Sequence, residues 1–293
     1  MRRTRPTSML LLLPVLASFC QAQEDRALVY LAGEVRKWKT ENKCFSGHNN
    51  GDGARALYIA RRLGKTVDSG ALGETAKWLS RPSGWKAAGA NPGISDKVLA
   101  AIQFAAALKE AKVSDSASIA EAANVLVNDQ GEDGSWKIDD LGSPATYGSA
   151  LATYMARSVL EAADTKRYAA AIARADSWLA ALKPVNIPDA AASVLAGKGS
   201  TGQLVALQNS DGGWGPWKHS PSEVFDTAIA MIALQSAPAA PEAIARGRDF
   251  LLRTQQPSGG WTETTRPSGG QSYAQHISTT AWATIALLRT GTQ

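Results

Sequence analysis

The sequence predicts an all-α protein whose helices pair six times and close into a double-layered barrel. Three observations carry this. Four tryptophans sit behind glycine-rich turns, at Trp85, Trp136, Trp214 and Trp261, spaced by 51, 78 and 47 residues. Self-similarity at such spacing is the mark of a repeat architecture. Two kinds of helical segment alternate between the turns. Alternating β-branched runs, which would signal strands, are absent, and alanine is abundant.

The chain has 293 residues, 44% hydrophobic and 19% charged, enough apolar surface for a sizeable core. Residues 1–22 read as a secretory signal. Arg2, Arg3 and Arg5 precede the apolar run Met9 to Leu16, and Cys20-Gln21-Ala22 offers a cleavage site before Gln23. The apolar run is too short to span a bilayer, so the processed protein is expected outside the cytoplasm, periplasmic or secreted, without a membrane span. Removing three arginines lowers the charge from +5 to +2, which takes away the basic excess a nucleic-acid partner needs. Cys44 is then the one remaining cysteine, so no internal disulfide is available.

Residues 23–293 divide as follows. The first unit holds helix Ala27–Lys39, a loop from Cys44 to Asp52, and helix Gly53–Leu63. The 78-residue interval is too long for one unit and accommodates two, with helices at Tyr168–Lys183 and from Asp189. Asp226-Thr-Ala-Ile-Ala matches Thr279-Thr-Ala-Trp-Ala, and Gly148-Ser-Ala-Leu-Ala is placed in the same register. These small-residue helices can approach neighbours on all sides and are expected inside. Segments such as Pro241–Thr254, charged on one face, are expected outside. Six pairs can stack as an open solenoid or close as a ring. The lack of a polar terminal cap favours closure.

Arg246-Gly247 through Phe250-Leu251 and Gln255 to Gly259-Gly-Trp261 resembles the repeat of squalene cyclases and protein prenyltransferases. Gln130 to Trp136 and Gln208 to Trp214 keep its Gln/Gly/Trp end. The resemblance implies an (α/α)6 toroid with inner and outer helix rings, in which the motif residues hold the fold. Class II terpene cyclases in this group protonate their substrate with the middle Asp of an Asp-x-Asp-Asp-Thr-Ala sequence. The matching stretch here is Glu223-Val224-Phe225-Asp226-Thr227-Ala228, with Phe225 at the acid's position. Prenyltransferase β subunits hold zinc with Asp, Cys and His and work with an α subunit.

In a closed ring the loops leading into the inner helices share one rim. The residues placed at those helix starts are Asp52, Asp96, Gly148, Asp189, Asp226 and Thr279, which read first as helix caps. The same rim receives Cys44, His48, His219, Tyr273 and His276. Two function classes follow. One is a ligand-binding or scaffold toroid lacking the known cyclase acid, taking an apolar or carbohydrate small molecule through Trp217, Tyr273, Asp52 and His48. The other is an enzyme of terpene-cyclase-like or polysaccharide-degrading type, with Asp226, Glu223 or His276 as acid or base. No cofactor is required by either. A zinc set of Cys44, His48, Asp226 and His276 has the right chemistry. Cys44-Phe-Ser-Gly47-His48 resembles a c-type haem attachment sequence with Gly in place of the second Cys.

Overall fold

A computed structural model describes residues 12–87, 96–112, 116–139, 147–235, 240–264, 266 and 271–291, with side chains from residue 21 onward. Arg2, Arg3, Arg5 and Met9 lie outside the described residues. Among the described residues there are twelve α-helices and no strand, only an isolated bridge between Trp214 and Glu223.

The helices are α1 (Leu12–Asn42), α2 (Ala54–Arg62), α3 (Ser69–Leu79), α4 (Lys97–Ala111), α5 (Ser116–Asp129), α6 (Gly148–Asp164), α7 (Ala169–Ala181), α8 (Ile187–Leu195), α9 (Thr201–Ala206), α10 (Val224–Gln235), α11 (Pro241–Thr254) and α12 (Tyr273–Thr290). A π-helical turn, Gly47–Gly53, leads directly into α2. The even-numbered helices touch in sequence, α2 to α4, α6, α8, α10 and α12, and α12 returns to α2. The odd-numbered helices lie outside them. The composition explains the layering. Every residue of α10 from Val224 to Leu234 is buried, whereas α11 buries only Ala243, Gly247, Phe250, Leu251 and Leu252. No described helix is long and apolar enough to cross a membrane.

The repeat turns act as joints between units. Trp136, Trp214 and Trp261 each donate their indole N–H at 2.8 Å to the carbonyl ten residues upstream, on Leu126, Leu204 and Leu251. Gln130 Nε2 donates to Gly134 O and, across the joint, to Ala171 O on α7, both at 2.9 Å. Gln208 does the same with Gly212 O at 2.8 Å and Ala243 O on α11 at 2.9 Å. Gln255 bonds Gly259 O at 3.0 Å and then Gln23 O on α1 at 2.9 Å. The third joint therefore links the last unit to the first and closes the ring. The basic residue of the next outer helix caps each glutamine oxygen: Arg174 on Gln130, Arg246 on Gln208, Arg26 on Gln255. The linear motif thus spans two joints, because Arg246 serves Gln208 and not the Gln255 of its own repeat. The joints need Gly134, Gly212 and Gly259. Their φ angles are 92°, 88° and 96°, and a Cβ would lie within 2.6 Å of the next arginine's carbonyl oxygen.

The same turns correct the register between inner helices. The Trp136, Trp214 and Trp261 amides bond Thr153, Thr227 and Thr280 Oγ1 at 3.0, 2.9 and 3.1 Å. Thr153 is therefore the equivalent of Thr227, and Gly148 sits about one helical turn before the Asp226 level. Short runs of Ala, Ser and Thr match one another at a shift of one turn, so composition alone did not separate the two registers.

Candidate functional site: the ring centre and its rim

The acidic column divides into three environments. Asp96 is a helix cap, accepting from Val98 N at 2.8 Å and Leu99 N at 3.0 Å. At α8 the cap is Asn186, with Asp189 three residues on and its own carboxylate turned back to Val185 N. Thr279 is not at a helix start, because α12 begins at Tyr273 with Ser272 as its cap. Asp52 and Asp226 are fully buried.

Asp52 is the hub of the ring. It leaves the π-helical turn ahead of α2 and accepts from Gln103 Nε2 (α4) and Ser278 Oγ (α12), both at 2.7 Å. The Tyr147 hydroxyl, at the start of α6, donates to the other oxygen. Close packing makes this contact possible. A Cβ on Gly51 would lie 2.7 Å from Gln103 Cβ. Burial raises the Asp52 pKa to about 6, opposed by these hydrogen bonds and by Arg55. Trp282 Nε1 donates to Tyr147 Oη at 2.7 Å. Tyr147, Phe225 and Trp282 pack together with centroids 5.7–5.8 Å apart, and all three are buried. They form an aromatic plug spanning α6, α10 and α12. Gln103, Ser278, Tyr147 and Trp282 were not singled out from the sequence. Their signal is a polar group on a helix that is otherwise small and apolar, as in Ala-Ile-Gln103-Phe-Ala.

Asp226 lies at the first turn of α10. Arg266, from the segment before α12, donates to its Oδ1 from both Nη1 and Nη2 at 3.2 Å. Burial raises the Asp226 pKa to about 7, Arg266 opposes the rise, and nearby Glu223 adds to it. Glu223 and Asp189 are also raised by burial, each moderated by the Arg266 charge. Three carboxyls thus gather around one guanidinium. Glu223 receives a hydrogen bond from Thr264 and leaves Oε2 buried with no partner. Asp226 and Glu223 therefore share the Arg266 charge, whereas His276 pairs with other groups.

His276 bridges Glu263 Oε2 at 3.3 Å and Tyr30 Oη at 3.0 Å. His48 packs edge-on against Trp38 and Tyr273 at 4.8 and 5.7 Å, and Trp38 stacks on Tyr273 at 5.5 Å. The first and last units meet here, so His48 and Tyr273 share one cluster. His48 is half-buried, with its Nε2 buried and without a partner, and this desolvation lowers its pKa to about 3. Tyr273 is 39% exposed and also bonds Asn49 and Glu34. Trp217 is 53% exposed on the loop before α10, away from this cluster in the chain. Cys44 is a free, partly buried thiol. The structure does not assemble Cys44, His48, Asp226 and His276 into a ligand set. Among the described residues no three His, Cys, Asp or Glu side chains are placed to share a metal ion. The physical reason is partner choice: Asp226 is turned to Arg266, His276 to Glu263 and Tyr30, and His48 to two aromatic rings.

No protein-family model matches the chain. Its fold is that of type II terpene cyclases. The cyclase MstE from Scytonema, in a variant bound to its substrate geranylgeranyl dihydroxybenzoate, superposes with a TM-score of 0.62 at 13% identity, covering 94% of this chain and 98% of that one. The apo enzyme gives 0.60 at 12% identity, covering 92% and 98%. Sequence likeness is local. Drimenyl diphosphate synthase of Streptantibioticus cattleyicolor is 44% identical over 62 residues, which is 21% of this chain and 12% of that protein. Squalene–hopene cyclase of Bradyrhizobium diazoefficiens is 38% identical over 72 residues, 20% of this chain and 11% of that protein. The aligned segments thus span about a tenth of either relative's length. The chain is a terpenoid-cyclase-like α/α toroid, similar in its repeats to the squalene cyclases.

Proposed function

We propose that this chain is an exported, non-cyclising toroid that binds an apolar, isoprenoid-like small molecule. The observation that carries this reading is Phe225. It stands at the position that the family resemblance assigns to the proton donor, and it is locked into the Tyr147–Trp282 plug. A site for the ligand is offered by a groove of about 460 Å³ between α8 and α9, lined by Val185, Ile187, Ala190 and Leu207 with Gln203 and Lys218 at its polar edge. That volume falls within the range of small-molecule pockets, roughly 300–1,000 Å³. MstE, with the same fold, binds a geranylgeranyl compound. In a test with geranylgeranyl compounds, squalene and oligosaccharides, we expect saturable quenching of tryptophan fluorescence by the isoprenoids and no cyclised product. Gln203→Trp, an exposed position that fills the groove, is expected to abolish the quenching. Binding of oligosaccharides alone would overturn the ligand class.

One observation favours a second reading. Burial raises the Asp226 pKa well above the usual carboxylate range, toward that of a general acid. Turnover of any isoprenoid or glycan, lost in Asp226→Asn, would establish that reading and remove the first.

Export is part of the proposal. Cleavage after Ala22 would leave Gln23 and Arg26, which make the closing joint, in the processed chain. Intact-mass measurement of protein recovered from outside the cytoplasm is expected to give a chain starting at Gln23, with or without loss of ammonia from that glutamine. Recovery of the uncut chain in the cytosol would refute export.

A further inference from the structure

On the inner side of Trp282 lies a partly open cavity of about 40 Å³, whose polar lining is Arg55, Lys109, Tyr154, Ser158 and Arg289. Arg55 is 7% exposed, and its guanidinium carbon lies 4.7 Å over the Trp282 ring. Its Nε and Nη1 are buried with no partner in the protein. Lys109 Nζ donates to Ser158 Oγ at 3.1 Å. Arg289 donates to Glu110 at 2.8 Å, and Arg62 takes the other oxygen of the same carboxylate. Four cations therefore converge on one carboxylate. Glu161 on α6 is engaged by Arg157, and both oxygens of Asp52 are committed to Gln103, Ser278 and Tyr147.

A buried guanidinium with open donors is costly unless an acceptor meets it, and so is an uncompensated positive charge. Burial, with Arg55 and Arg289 adding to it and Glu110 and Glu161 opposing, brings the Lys109 pKa down to about 8. The cavity is larger than the roughly 10–15 Å³ that one water needs. A water could accept from Arg55 but would leave the charge unbalanced. An anion with several oxygens answers both needs.

We propose that this cavity is a binding site for a small tetrahedral oxyanion, inorganic phosphate or sulfate, held by Arg55, Lys109 and Arg289. The cavity shares no lining residue with the groove between α8 and α9, so it does not depend on the ligand proposed there. The small volume of the cavity favours the free ion over an ester, whose organic part it would not hold.

The full chain, exchanged into chloride buffer, is titrated calorimetrically with inorganic phosphate, with sulfate and with phenyl phosphate. Saturable 1:1 binding of phosphate or sulfate is expected, with a matching rise in Tm and no binding of phenyl phosphate. Arg55→Gln is expected to weaken binding by about tenfold or more. Lys109→Met, which leaves the Arg62–Glu110–Arg289 pairing intact, reports on the same site if Arg55→Gln does not fold. Absence of saturable phosphate and sulfate binding in the wild type, affinity unchanged in the folded variants, or binding of phenyl phosphate alone would each overturn the proposal.

Discussion

Asp52→Ala is expected to destabilise the protein by about 3–5 kcal/mol, the scale for removing one member of a buried charged network. The variant leaves Gln103, Ser278 and Tyr147 without their shared acceptor. Those donors come from α4, α12 and the start of α6, so one deletion loosens three inner helices at once. Asp52→Asn keeps the shape and one acceptor oxygen, and hydroxyl rotors can adapt, so it is expected to lose less. Urea unfolding midpoints of the two variants measure this. A loss under about 1 kcal/mol for Asp52→Ala would show that the hub does not hold the ring. The pH dependence has a definite sign. With a folded pKa of about 6 against 3.8, the native carboxyl holds a proton the unfolded chain has released. The stability this gives is present below pH 3.8 and is lost as pH rises through 6.

His48 works in the opposite direction and has the largest effect in acid. Its folded pKa of about 3 lies below the usual 6.5, so it stays neutral in the protein while the unfolded chain takes up a proton. Its contribution is present above pH 6.5 and is lost as pH falls toward 3, roughly 1.4 kcal/mol per pH unit. His48→Phe keeps a ring edge against Trp38 and Tyr273 and has nothing to protonate. Relative to the wild type, the variant is expected to gain up to about 3 kcal/mol between pH 7 and pH 4.5, less where solvent reaches the half-buried ring. The opposing contributions of Asp52 and Asp226 cancel in that difference. An equal variant-to-wild-type difference at both pH values, by urea unfolding, would rule out an imidazole held neutral by the fold.

The toroid was legible because its joints are written locally. Within each turn the Gln bonds a carbonyl four residues on and the Trp indole one ten residues back, so the code survives as a linear pattern. The layering was legible for a similar reason, since Ala-rich α10 and one-sided α11 differ in composition alone. The centre was not legible. Asp52 meets Ser278 across 226 residues of sequence, and nothing near either residue announces the other. Register was the other difficulty. Placing Gly148 level with Asp226 was a one-turn shift, which only the Trp–Thr hydrogen bonds resolve. Among the site residues, Asp226 and Glu223 came together because they lie three residues apart where the chain enters α10, and His48 and Tyr273 because the ring closes between them. Arg266 was invisible, since an arginine in a Ser/Thr/Gly-rich segment reads as solvated.

The bond from Gln255 to Gln23 repeats, atom for atom, the bonds from Gln130 to Ala171 and from Gln208 to Ala243. A linear array of repeats frays from its outermost members, because they have one neighbour each. Here no member is outermost, and the first helix is gripped as firmly as any interior one. Thermal unravelling consequently has no preferred starting place. It must rupture a fully flanked contact first, which favours a single cooperative collapse over stepwise peeling.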